Sequence, residues 1–120
     1  MAAKDYKDLQ VWQKAHQLVL QVYQHTAAFP LEEKYGLVNQ FRRAAKSIAA
    51  NIVEGFTRIT AKDKIRYYGM AMGSIQECRY FSFLCTELTY ADMNLLEDEF
   101  RHLSILLKKY MDRIRENHGV

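Results

Sequence analysis

The chain has 120 residues, with one proline, five glycines and 49% hydrophobic residues, enough for one hydrophobic core and too short for two. Little material is left for hairpins, and the abundance of Ala, Leu, Glu, Lys, Gln, Arg and Met favours helix. A formal charge of +3 decides nothing by itself. No apolar run reaches the ~18 residues of a membrane span, and the N-terminal Met1-Ala2-Ala3-Lys4-Asp5-Tyr6 lacks an apolar stretch ahead of a small-residue cleavage site. The expectation is a single all-α domain over residues 1–120, cytoplasmic and apart from membranes.

Four periodic segments separated by short breaks predict helices at about 8–28, 32–56, 61–90 and 95–117. The first follows Asp5 or Asp8, either able to cap, and repeats Val11, Trp12, Ala15, Leu18, Val19, Val22 and Thr26 at three- and four-residue spacing until Phe29-Pro30. The second starts between Leu31 and Leu37, turns Leu37, Phe41, Ala44, Ile48 and Ile52 inward, and stops at Gly55. The third opens on Thr60-Ala61-Lys62-Asp63, which has capping-box spacing, and continues with Ile65, Tyr68, Met72, Ile75 and Cys78. The fourth opens on Asn94-Leu95-Leu96-Glu97 and carries Phe100, Leu103, Leu107, Tyr110 and Ile114. Breaks this short set neighbouring helices antiparallel, in an up-and-down four-helix bundle. Gly69 and Gly73, one turn apart, are expected to admit close approach of the alanine-rich second helix at Ala44, Ala45, Ala49 or Ala50.

No catalytic or cofactor site emerges. Cys78 and Cys85 fall on one helix face two turns apart, too far to bridge, and read as reduced core residues. Glu99-Phe100-Arg101-His102 has the Glu-x-x-His spacing of bundle-core di-metal sites, but such sites need two of these motifs plus further glutamates, so the residues read as solvated charges at a helix start. His16, His25 and His118 lack a partner at ligand spacing, and Ser74 and Ser82 lack a nearby histidine or glycine-rich elbow. The expectation is therefore no enzyme, no cofactor and no metal.

The charges are unevenly placed. Residues 34–66 hold eight Lys and Arg against two acids, whereas residues 77–99 hold six acids against Arg79. Arg42, Arg43, Lys46, Arg58, Lys62, Lys64 and Arg66 supply the basic middle, with Arg42 and Lys46 expected on the outer face of the second helix. Such a surface suits nucleic-acid phosphates; equally, it suits pairing with the acidic segment of a neighbouring subunit. Tyr35, Phe56, Tyr67 and Tyr68 could stack on bases or serve as core. Gln40, Arg43, Ser47, Asn51 and Glu54 form a polar stripe beside the apolar one, read as an internal network in which Asn51 and Glu54 meet Gln76 or Glu77. The first helix spreads apolar residues over a wide arc, with Leu20 and Tyr23 beyond the main stripe, which favours a homo-oligomer.

Long ordered motifs, Leu9-Gln10-Val11-Trp12-Gln13-Lys14-Ala15-His16, Phe29 to Leu37, Gln40 to Ile48, Asn51-Ile52-Val53-Glu54-Gly55, Gly73-Ser74 and Glu77, resemble the bacterial four-helix-bundle family encoded in intervening sequences of 23S ribosomal RNA genes. The resemblance covers nearly the whole chain. It implies a left-handed up-and-down bundle assembled as a homopentamer, labelled ribosomal-protein-like and without established catalytic residues. A related accessory protein of diversity-generating retroelements is similar, and engages nucleic acid and a reverse transcriptase through a basic pentameric surface. The resemblance thus implies ribosomal or retroelement RNA or DNA, or a protein partner, and carries over Arg42, Arg43, Lys46, Ser47, Asn51, Glu54 and Gly55. Val53 replaces the usual alanine, and Thr89-Tyr90 the usual Gly-Tyr.

Overall fold

The first helix, α1 (Gln10–Thr26), buries Val11, Ala15, Leu18, Val22 and Thr26, the stripe its spacing predicts. It starts two residues later than expected, because Tyr6–Asp8 forms a separate 3-10 turn. There the Asp8 carboxylate accepts the backbone N–H groups of Lys4 and Asp5 at 3.2 and 3.1 Å. The computed structural model describes residues 2–120, and Met1 lies outside them.

Helix α2 (Leu37–Thr57) buries all five residues assigned to its inner face, Leu37, Phe41, Ala44, Ile48 and Ile52, together with Val38, Ala45 and Gly55. It begins later than residue 32, since Leu31–Glu33 is again a 3-10 turn. Gly36 breaks the path with φ −105° and ψ −106°, outside the helical basin. Gly55 is not the stop; the helix continues to Thr57. Its role is contact, because a Cβ there would sit 2.4 Å from Cε1 of Tyr68.

Helix α3 (Ala61–Glu87) starts as the capping spacing predicts, with the Asp63 N–H donating to Thr60 Oγ1 at 3.1 Å. It ends three residues before the expected Tyr90. Thr89 takes φ +59°, a left-handed conformation that cannot propagate the helix. Thr86 Oγ1 accepts the Met93 N–H at 2.9 Å and holds the connection. The expected role of Gly69 and Gly73 is corrected: a Cβ at either would meet nothing within 4 Å. α2 approaches α3 elsewhere, at Gly55 and Tyr68 and where the Ser47 and Ser74 hydroxyls meet at 3.0 Å.

Helix α4 (Asn94–His118) buries Leu96, Phe100, Leu103, Leu107 and Met111, and ends at Gly119 in the left-handed region with φ 67°. All four helices contribute to one buried apolar cluster. Phe41 lies 5.7 Å from Phe81 and 6.4 Å from Phe100, ring centre to ring centre, tying α2, α3 and α4. Along α2 and α3 the contacts step from Phe41–Phe81 through Ser47–Ser74 to Gly55–Tyr68. At one end Phe29 packs on Tyr90 at 5.3 Å, and the Tyr90 hydroxyl donates to Glu33 at 2.8 Å, joining the α1–α2 and α3–α4 connections. The backbone of α1 comes close to α2 and, more narrowly, to α4, and stays farther from α3. The described residues contain four helices, no strand, and no helix long and apolar enough to cross a membrane.

Candidate nucleic-acid interface

The seven cations contiguous in sequence are divided by the fold into different situations. Arg42 does not project from an outer face. Its Nε donates to Thr26 Oγ1 at 2.9 Å, its terminal nitrogen to the Tyr23 carbonyl at 3.3 Å, and its guanidinium lies 4.4 Å from the Tyr23 ring centre. Adjacent helical residues point about 100° apart, so Arg42 binds α2 to the last turn of α1 while Arg43 turns toward α3. The wheel of α2 carries that signal, and the consecutive pair obscures it.

Arg58 is also committed. It forms a 2.6 Å ion pair with Glu54, whose hydrogen bond holds the guanidinium above its ordinary range, and lies 4.4 Å from the Tyr67 ring. Its Nε is buried without a hydrogen-bond partner. Arg66 lies 4.8 Å from the same ring, so one tyrosine carries two guanidinium groups. Lys64 donates to the Gly55 and Phe56 carbonyls at 3.3 and 2.8 Å, closing the last turn of α2, and burial holds its ammonium below the usual lysine range. Arg43, Lys46, Lys62 and Arg66 remain exposed, and none forms an ion pair with a described residue. Lys46 and Arg58 stand 12 residues apart along α2 and its exit, a rise of roughly 18 Å, so the patch has two centres.

The polar stripe on α2 is an internal network in part. Asn51 Nδ2 donates to the Ser47 carbonyl at 2.9 Å and to Ser47 Oγ at 3.0 Å, and Ser74 Oγ donates to Ser47 Oγ. The link to α3 therefore runs through Ser47 and Ser74, and neither Asn51 nor Glu54 meets Gln76 or Glu77 as expected. Glu54 is exposed and faces Arg58. Above this network, Gln40, Arg43, Ser47, Ser74, Glu77 and Phe81 border a cleft of about 290 Å³.

Glu99 is engaged by Lys14 of α1, which ties α1 to α4, while His102 lies 3.7 Å from Asp98 on its own helix. The described residues contain no cluster of three or more metal-ligating side chains. Cys78 and Cys85 are both buried and unbridged. Burial pushes the Cys78 thiol up, with the Glu77 charge adding to it. Burial also pushes the Cys85 thiol up, to about 11, with the Glu33 charge adding to it.

Architecture and surface together define a helical-bundle protein with exposed cations on α2 and on the first turns of α3. The chain belongs to the 23S rRNA-intervening sequence protein family, whose model matches residues 7–112. No curated protein matches it.

Proposed function

We propose that this protein is a non-catalytic, homo-oligomeric module of the cytoplasm that binds structured RNA or DNA through phosphate contacts. The observation that carries the reading is a set of four exposed cations without carboxylate partners, in two centres: Arg43 and Lys46 midway along α2, and Lys62 and Arg66 on the first turns of α3, where Tyr67 carries two guanidinium groups. Elsewhere on the surface Arg101, Lys108 and Arg115 are paired with acids of their own helix. Arg42, Arg58 and Lys64 position these four by pinning α2 to α1 and to α3. Within the reading, the chain is an antiparallel, left-handed up-and-down bundle, and its assembly is a pentamer.

Assembly is supported by two apolar surfaces that the chain's own helices leave uncovered. On α1, Leu20 is 50% exposed. On α3, Tyr80 and Phe83 are 57% and 51% exposed and lie on a strip with Gly69, Gly73 and Gln76 at alternating four- and three-residue spacing. These surfaces belong to helices whose backbones are not neighbours, and two different patches on one subunit are what a closed ring of heterologous contacts needs. Repetition around a ring would multiply a weak single-site affinity.

Titration with fragments of 23S ribosomal RNA at two salt concentrations tests the reading. Binding should weaken steeply with salt, and Arg43→Ala with Lys46→Ala should lower the slope of log affinity against log salt by about 1.5–2. No binding at low salt, or an unchanged slope in the double variant, would overturn it. The second reading, an adaptor that docks a reverse transcriptase or another protein, is favoured by the same exposed aromatics; capture of a purified reverse transcriptase without RNA would support it.

A further inference from the structure

The cleft between α2 and α3 has a fixed floor and a free rim. Its floor is set by the Asn51–Ser47–Ser74 hydrogen bonds and by Phe81 packed on Phe41 at 5.7 Å. On its rim, Arg43 and Glu77 carry opposite charges and line the same space, yet neither forms an ion pair with a described residue. Gln40 lies beside them, exposed. A rigid floor with uncommitted donors and acceptors above it is arranged in advance for a ligand that brings the complementary set.

The complementary set is narrow. It must be small, since about 290 Å³ is at the lower limit for ligand pockets. It needs a flat apolar face for Phe81, a donor edge for the Glu77 carboxylate and an adjoining acceptor edge for the Arg43 guanidinium. We propose that the cleft holds one unpaired guanine base of a bound nucleic acid: Glu77 accepts its N1–H and N2–H, Arg43 donates to O6 and N7, and Phe81 meets the ring. Adenine turns the unprotonated N1 toward the carboxylate, which repels it, and replaces O6 by an amino group, so the guanidinium keeps only N7. Lys46, three residues beyond Arg43, exposed and unpaired, neutralises the phosphate attached to the base. Unstacked bases read on their edges and against an aromatic ring are the usual targets of sequence-specific RNA recognition. This site rests on the nucleic-acid reading above and adds base selection to it.

Amide chemical shifts of the full chain, followed during titration with GMP, IMP, AMP and UMP, test the site. GMP should move the amides of residues 40–47 and 74–81, and should bind about ten-fold or more tightly than AMP. IMP, which lacks the N2 amino group, should bind more weakly than GMP. Glu77→Gln should erase the preference for GMP while affinity for RNA holds or rises, because the change removes an anion beside the cations; a merely structural glutamate would lower both. Equal responses to the four nucleotides, or guanine-selective shifts elsewhere, would overturn the site. Salt-dependent RNA binding without guanine preference leaves the phosphate reading intact and defeats this one. Guanine-selective shifts in a chain that fails to bind RNA would defeat the nucleic-acid reading and reduce the cleft to a mononucleotide site.

Discussion

Three glycines in two helices should respond to the same substitution with opposite signs. Gly55→Ala places a methyl group 2.4 Å from a fully buried Tyr68 ring, which has no free volume to enter. Overpacking of this kind costs about 1–3 kcal/mol, more than the gain of up to ~1 kcal/mol from replacing glycine within a helix. Gly69→Ala and Gly73→Ala meet nothing of their own chain within 4 Å and should collect that gain when both are made in the monomeric Leu20→Glu background. Urea midpoints at one protein concentration, with unchanged slopes, measure both directions; a Gly55→Ala variant as stable as the parent would contradict the packing described. The buried thiols supply a second prediction at this scale. Burial raises Cys85 from 9.0 to about 11 in the folded chain, so the folded state keeps its proton while the unfolded state loses it. Stability is then complete below about pH 9 and falls as pH climbs from there through 11. Cys78 and Tyr68, also raised by burial, add to the fall. The urea midpoint should accordingly drop between about pH 9 and pH 11, and a flat profile would contradict it.

The starts and stops of helices differ in how far a sequence discloses them. The start of α3 was legible because Thr60 and Asp63 are local chemistry: three residues suffice to recognise the cap, and the 3.1 Å bond is there. Thr60→Ala should cost about 1 kcal/mol and Thr60→Ser should restore most of it; calorimetric melting of both checks whether the hydroxyl or the methyl matters. Inner faces were legible for a similar reason, since the apolar stripes of α1, α2 and α4 repeat at the helical period and all point to one core. The glycines of α3 were misread because small residues permit close approach without requiring it; only the partner's position shows that Gly55, read as a stop, is where the helices meet. The outward placement expected for Arg42 was misread for a geometric reason. Arg42 and Arg43 are neighbours in sequence and far apart in direction, and only the neighbouring helices reveal that one ties α2 to α1 and the other stays free.

Across the whole molecule, the uncovered apolar surfaces lie on opposite flanks at matching heights. Leu20 stands six residues from the end of α1, and Tyr80 and Phe83 stand seven and four residues from the end of α3. Both helices end where Phe29 and Tyr90 pack together. A ring in which the α1 flank of each subunit meets the α3 flank of the next uses each of these two patches once. For the proposed pentamer, light scattering should give five times the 14.1 kDa chain mass. Leu20→Glu and a Tyr80→Glu, Phe83→Glu double variant, each made separately, should both fall to monomer, because each loses one half of the only contact. Mixing the two variants separates this arrangement from its main rival. Each retains the half the other lacks, so a heterologous contact re-forms once and stops, yielding a dimer of unlike chains. Two-fold pairing of α3 on α3 instead predicts that the Leu20 variant assembles on its own and that mixing changes nothing.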